Sequence, residues 1–377
     1  MDLGLTETQQ MLKSSAREFL ESECPPSLVR QMEEDERGHP EQVWGQMAAL
    51  GWCGVAFPEE HGGTGGDFMD LAVLLEEMGR SLLPGPFFST VVLGGLTILD
   101  GGSESQKREH IPSICEGQIT MTLALVESGG TYEPWGVEAQ ARRSGDGFTI
   151  DGTKLFVPDG QIADMFLVAA RTSEGSDPAD GISCFLVPSS AGGISIRPMR
   201  TLAGDKQCEV TFANVRVPES ALIGEEGNGW PLLERTLSRA TVAKSLEMMG
   251  GAEAVLDLTV GYAKQRVQFG RPVGSFQAVQ HHCANMATEV ECCRYVAYQA
   301  AWKLTEEGPS DLEVSMAKAW ISRSYQRVCS LAHQCHGAIG FTWDHDLQLY
   351  TRRAKAQESL YGGPGYHEDL VGQALGI

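Results

Sequence analysis

Two strings in the last third of the chain carry residue types that could do chemistry. Arg266-Val267-Gln268-Phe269-Gly270-Arg271-Pro272, followed by Phe276-Gln277-Ala278-Val279-Gln280-His281, sets two guanidinium groups on a turn bounded by glycine and proline. Arginine in such a setting pairs with phosphate oxygens through charge-assisted bonds, and Phe269 offers a face to a flat ring. The second string is Gln334-Cys335-His336-Gly337-Ala338-Ile339-Gly340-Phe341, with Arg352-Arg353-Ala354-Lys355 after it. Gly337 would let a ligand approach the backbone closely. On residue types alone the plainer reading prevails, in which these residues cap and pack helix ends.

Other chemistry is easier to exclude. His281-His282-Cys283 and Cys335-His336 hold metal-ligand types, but no fourth ligand follows at a convincing spacing, so a structural role is expected. Gly62-Gly63-Thr64-Gly65-Gly66 has no strand before it and no G-K-[ST] after it, which excludes a P-loop. The ten cysteines are scattered without a C-x-x-C pair and read as reduced, mostly buried thiols. With 29 Lys+Arg against 50 Asp+Glu the net charge is −21, a field that repels nucleic acid and anionic membrane surfaces. No run reaches the ~20 apolar residues that span a bilayer; the longest, Val91 to Leu99, is interrupted by Gly94 and Gly95. The polar, amphipathic amino terminus lacks a secretory pattern, and a cytoplasmic protein is expected.

A chain of 377 residues exceeds one core, so two or three domains must position these strings. Residues 1–117 read as helical. Thr6 and Gln9 have capping-box spacing ahead of an apolar side with Met11, Leu12, Phe19 and Leu20, and Pro40 to Leu50 and Met69 to Met78 supply two more helices. In residues 118–226 the period changes to two. Phe148 to Ile150, Asp151-Gly152 and Lys154 to Val157 predict a type I′ hairpin. Short strands follow at Phe166–Ala170, Ser183–Val187, Ile194–Ile196 and Cys208–Val217, consistent with a small β-barrel or sandwich. Residues 227–377 are helical again. Long segments run from Trp230 to about Gln268, interrupted only by Gly250-Gly251, then from Phe276 to about Glu307 and from Asp311 to about His336, the last two divided by Gly308-Pro309. Such segments form a bundle.

Taken together the strings resemble the acyl-CoA dehydrogenase family across essentially the whole chain. That family's R-x-x-F-G turn matches Arg266 to Gly270. Its Q-x-x-G-G-x-G-F loop matches Gln334 to Phe341, with Ala338 in place of the second glycine. The resemblance implies an α+β fold: an N-terminal helical domain, a middle small β-barrel or sandwich, and a C-terminal four-helix bundle. It also implies that both segments reach across a dimer interface to clamp the adenine and pyrophosphate of FAD held mainly by the neighbouring subunit. On that basis Arg266 meets the pyrophosphate and Phe269 the adenosine end. Gln334 and Gly337 belong to the same clamp, with Gln268 and Gln277 as further members. The implied reaction is α,β-dehydrogenation of an acyl-CoA, with an electron-accepting flavoprotein as partner. A carboxylate removes the α-proton, and the β-hydrogen leaves as hydride to the flavin.

The sequence departs from the family pattern where the base should stand. Aligning Arg352-Arg353-Ala354-Lys355 without gaps sets Tyr361, in Leu360-Tyr361-Gly362-Gly363, at the Glu of the family's Y-E-G-T string. Some members carry the base on the first long helix of the bundle instead; counting back from Gly250, that position is Ala240. Glu247 lies about 10 Å further along the same helix at 1.5 Å per residue, too far to replace it. A tyrosine of ordinary pKa near ~10 is a poor base at neutral pH, and Glu358 and Glu368 read as solvated helix-face charges. The catalytic base is thus unassigned. The flavin-facing strings have changed as well. T-E-P-x-x-G-S-D becomes Val126-Glu127-Ser128-Gly129-Gly130, and W-I-T becomes Phe156-Val157-Pro158, where Phe156 is either β-domain core or a stacking surface.

The expectation is a subunit of a hetero-oligomeric acyl-CoA dehydrogenase, a dimer or tetramer, in which a paralogous partner supplies the Glu and the flavin-facing loops. Such pairs act on bulky CoA thioesters, including steroid side chains, so fatty acid and steroid metabolism both stay open. Two alternatives stand beside it: a flavin-dependent monooxygenase or oxidase of the same fold, and a non-catalytic scaffold subunit.

Overall fold

The structure, a computed structural model, describes residues 4–306 and 310–377. The expected Gly308-Pro309 break lies outside the described residues. In chain order the helices are α1 (Glu7–Glu23), α2 (Pro26–Glu34), α3 (Glu41–Ala49), α4 (Phe68–Arg80), α5 (Leu96–Gly101), α6 (Glu104–Cys115), α7 (Trp230–Gln265), α8 (Gln277–Thr305), α9 (Asp311–His336), α10 (Leu347–Ser359) and α11 (Pro364–Leu375). The strands are β1 (Met121–Ala124), β2 (Gln140–Ser144), β3 (Gly147–Pro158), β4 (Met165–Arg171), β5 (Ile182–Pro188), β6 (Ile194–Met199), β7 (Gln207–Pro218), β8 (Leu222–Ile223), β9 (Val267–Gln268) and β10 (Arg271–Pro272). Packing groups the chain into two units. One is Met1–Gln31, Phe68–Leu83 and Thr241–Ile377; the other is Met32–Asp67 and Pro84–Ala240.

The second unit is built on the sheet, ordered β6-β7-β3-β2-β4-β5-β8 with β1 on β4. Phe148 of β3 meets Phe185 of β5, and Phe166 of β4 meets Phe212 of β7, at ring separations of 5.0 and 6.0 Å. Each pair joins strands three places apart in that order, so the sheet curls over a closed aromatic core. The hairpin expected at Asp151-Gly152 is not there. Gly147–Pro158 is one long strand, and Gly152 sits at a bulge within it, paired to Phe212. A Cβ at Gly152 would lie 2.5 Å from the Ala139 Cβ, so glycine serves a close approach rather than a turn. The chain reverses instead at Gly145-Asp146, between the paired Ser144 and Gly147, with Gly145 at φ +65°. Val43, Trp44 and Met47 of α3 are buried as their spacing predicts, whereas Leu50 is exposed beyond its end. Gly94 and Gly95 do not break their apolar run; they close a π-helical segment, Phe88–Gly95, that leads directly into α5.

The first unit is helical. Thr6 and Gln9 form the expected capping box at 3.2 and 3.1 Å, but Met11 is exposed, and Ala16 and Leu20 are the buried positions of α1. Helix α7 runs to Gln265 without a break. Gly250 and Gly251 are crossing points: added Cβ atoms would meet the Glu76 carbonyl oxygen at 1.9 Å and the Tyr325 hydroxyl at 2.3 Å. At this crossing Glu76 of α4 is fully buried. Its carboxylate pairs with Lys13 at 2.7 Å and with Arg294, and accepts from the Tyr298 hydroxyl at 2.5 Å. Beside it Arg17 makes two bonds of 2.8 Å to Glu77 and one of 3.2 Å to Glu253. Burial alone would raise the Glu76 carboxyl, but Lys13 and Arg294 outweigh it and hold the group below its ordinary value. Seven of the ten cysteines are buried, and no helix among the described residues is long and apolar enough to cross a membrane.

Candidate functional site

The residues between α7 and α8 form a two-stranded ribbon rather than the end of a helix. Gln268 pairs with Arg271, which leaves Phe269 and Gly270 as a two-residue turn with φ +52° and +77°. Positive φ at both central positions is the type I′ turn, where Asn or Gly normally leads. A phenylalanine there carries about 1–2 kcal/mol of backbone strain. Its ring is 91% exposed and touches Phe276 only edge-on, at 6.0 Å. Held at that φ with only an edge contact, the ring adds little to this chain's own packing. Phe269→Asn is therefore expected to raise stability by about 0.5–1 kcal/mol, because relief of the strain exceeds what the edge-on packing against Phe276 contributes. Thermal unfolding measures this, and a lower melting point than the parent would show that the Phe276 packing outweighs the strain.

Arg266, Gln268 and Gln277 are all exposed; Gln277 opens α8, and the Gln268 amide donates to the Val267 carbonyl at 2.9 Å. Arg271 lies over the Phe276 ring at 4.2 Å, which leaves Arg266 as the guanidinium of this turn not engaged in that stack. Gln334 and Gly337 mark the end of α9. Tyr262, in the last turn of α7, joins the two segments: its ring stacks on His336 at 4.4 Å and its hydroxyl donates to the His336 carbonyl at 3.3 Å. The thiols of Cys283 in α8 and Cys335 in α9 also meet. The ribbon, the start of α8 and the end of α9 thus share one end of the bundle. Neither Tyr262 nor the thiol pair was found from the sequence, because nothing in residue spacing says which helix ends adjoin.

Beside Gln334 and Gly337 lies a cavity of about 540 Å³, lined also by Gln326, His333, Phe341 and Thr351. Gly337 has φ +66°, and a Cβ there would meet no atom within 4 Å, so its backbone is open to a ligand. His333 is stacked on Phe341 at 4.5 Å and bonded to the Thr351 hydroxyl at 2.9 Å, while its Nδ1 and the Gln326 Nε2 are buried without a protein partner. Burial, with His345 nearby, lowers the His333 pKa. A cavity of this size with open backbone, unsatisfied polar atoms and an exposed aromatic ring on the adjoining ribbon fits the adenosine diphosphate half of FAD. The phosphates would fall to Arg266.

The positions expected to carry a base hold none. Ala240 is fully buried. Tyr361 is half-buried and has φ +58°. The Glu247 carboxylate is engaged by Lys244 at 2.5 Å and by the Gln357 amide at 3.3 Å. Glu358 and Glu368 pair at the surface with Lys355 and Arg323. In the β unit Glu127 is committed as well. It is buried, 2.6 Å from the fully buried Lys154, and accepts from the amides of Glu138 and Ala139 at 3.0 Å. It staples a loop and has no carboxylate to spare. Phe156 is exposed at φ +54°, which removes the core reading and leaves a free ring, while the Pro158 carbonyl accepts from Thr122 at 2.6 Å.

Comparison with known proteins matches the order of domains along the whole chain. Residues 6–118 match the acyl-CoA dehydrogenase N-terminal domain, 122–215 the middle domain and 227–376 the C-terminal domain. The probable acyl-CoA dehydrogenase YngJ of Bacillus subtilis is 31% identical over 364 residues, 95% of each chain. Butyryl-CoA dehydrogenase from Megasphaera elsdenii superposes with a TM-score of 0.93 at 28% identity over 100% of both chains. A chain of the ChsE4-ChsE5 complex from Mycobacterium tuberculosis gives 0.90 at 27% identity, covering 100% of this chain and 99% of that one. With its three domains in the same order and relatives aligned end to end, this chain belongs to the acyl-CoA dehydrogenase family, whose members are FAD-dependent flavoproteins.

Proposed function

We propose that this chain is one subunit of a hetero-oligomeric acyl-CoA dehydrogenase. In it a paralogous subunit supplies the carboxylate base and the loops that face the flavin, and this chain supplies the clamp on the adenosine diphosphate end. One contrast carries the reading: the ribbon and the cavity beside Gln334 are intact, while Ala240 and Tyr361 occupy both base positions. The kinship with a chain of the ChsE4-ChsE5 complex supports a paired assembly. FAD, when bound, accepts the β-hydrogen as hydride. Arg266 neutralises the diphosphate, Phe269 covers the flat base and excludes water from it, and the open backbone at Gly337 admits the ribose. The α-proton goes to the partner's carboxylate, because Ala240 and Tyr361 leave both base positions of this chain without one. The reducing equivalents then leave to an electron-accepting flavoprotein.

Native mass spectrometry of the protein produced with its genomic neighbours tests this directly. The expected species contains two kinds of chain and fewer FAD than chains, and an acyl-CoA bleaches its flavin anaerobically. A homo-oligomer with one FAD per chain would overturn the proposal.

A further inference from the structure

The turn that carries Tyr361 is held by side chains that neither the clamp nor the base accounts for. Helix α10 ends at Ser359, and the chain passes Tyr361 at φ +58° before Pro364 opens α11. A tyrosine in the left-handed region is strained and persists only where its surroundings over-determine it. Two contacts do so from one face of α9. The fully buried Lys318 reaches the end of α10, where its Nζ donates to the carbonyls of Gln357 and Glu358 at 3.0 and 2.9 Å and to the Ser322 hydroxyl at 3.2 Å. Burial pushes the Lys318 amine down to about 7 against the pull of Glu358. In either form its N–H groups satisfy the last carbonyls of α10, and in its charged form it also complements the helix dipole.

His367 of α11 holds the other side. Burial, opposed by its bond to Tyr361 and reinforced by Lys318, pushes its pKa down to about 4, so the ring is neutral. Its Nε2 is 2.9 Å from the Tyr361 carbonyl, which can only accept, so Nε2 carries the proton. Nδ1 is then the acceptor for the Ser315 hydroxyl at 3.2 Å. Ser315 lies three residues before Lys318, on the same face of α9.

We propose that Ser315, Lys318 and His367 are positioning residues that fix the backbone at Tyr361, so that one face of α9 aims whatever side chain stands there. The further claim that this turn borders the acyl-CoA rests on the proposed function, and the experiment separates the two. Hydrogen–deuterium exchange is measured by mass spectrometry on the intact chain in its purified assembly, and the same samples are assayed for acyl-CoA oxidation. Lys318→Met and His367→Leu are each expected to raise exchange at residues 359–363 about tenfold or more, as loss of one charge-assisted or buried bond allows. Helices α9 and α11 stay protected. His367→Gln, whose Nε2 can replace the imidazole donor, is expected to restore protection to within about threefold of the parent. Unchanged exchange at 359–363 in both disruptive variants, or an equal rise throughout α9 and α11, overturns the proposal. If Lys318→Met does not fold, His367→Leu against His367→Gln decides alone. A loosened turn with a raised KM supports both claims. A loosened turn with unchanged KM and kcat keeps the positioning role and removes the substrate from this turn.

Discussion

Arg266→Ala is expected to strip most of the FAD from the assembled enzyme. A guanidinium paired with a diphosphate contributes about 1.5–3 kcal/mol, because both partners are charged and the groove is partly shielded from water. Its loss weakens FAD binding by roughly 10- to 150-fold. Arg266→Lys keeps the charge but not the fork, so its loss is intermediate. The ratio of flavin to protein absorbance after gel filtration, followed by titration with FAD, gives the number. The chain itself is expected to fold as before, since Arg266 is exposed and its backbone bonds to Tyr262 and Val273 survive the substitution. Full flavin content in Arg266→Ala would show that this turn does not touch the cofactor. The clamp half of the proposed function would then be lost.

Glu76→Ala is expected to have the largest effect on stability, about 3–5 kcal/mol, which approaches the whole margin of a typical domain. Glu76 is fully buried, and its removal leaves Lys13 and Arg294 facing each other without the anion between them. Glu253 still binds Arg294 at 2.8 Å, which keeps the loss from being total. Glu76→Gln retains the shape and one acceptor and falls between. Chemical denaturation with unchanged m-value measures both. The effect also has a sign in pH. The Glu76 carboxyl is held below its ordinary value of 4.5, so the unfolded chain takes up the proton first on acidification. The stability difference between the parent and Glu76→Gln is therefore constant above about pH 5 and shrinks as pH falls through the folded pKa. A difference that grows on acidification would mean the carboxylate is not paired as described.

Local signals with one interpretation were readable from residues alone. Thr6 and Gln9 can cap only the helix that follows them, and Asp311–His336 is periodic with no competing breaker inside it. Signals whose meaning depends on a distant partner were not. Asp151-Gly152 has the residue types of a turn, yet the chain reverses at Gly145-Asp146, and Gly152 lies against Ala139 within the long strand. Gly250-Gly251 looks like an interruption until Glu76 and Tyr325 are seen against it. Among the candidate site residues, the R-x-x-F-G string was legible through its resemblance to the family, whereas the positive φ of Phe269 and Gly270 became visible only in the fold. The seat under Tyr361 was not, since Ser315, Lys318 and His367 are ordinary helix residues until α9, α10 and α11 are placed side by side.

The crossing at Glu76 also sets a timetable for the ribosome. Lys13 emerges before Glu76, but Arg294 follows it by 218 residues and Tyr298 by 222. At about 5–20 residues per second that interval is roughly ten to forty seconds. Until Arg294 arrives, Lys13 of α1 is the cation available to the Glu76 carboxylate of α4. A chain truncated before Arg294 would keep the Lys13–Glu76 pair and lack the second cation that closes the cluster.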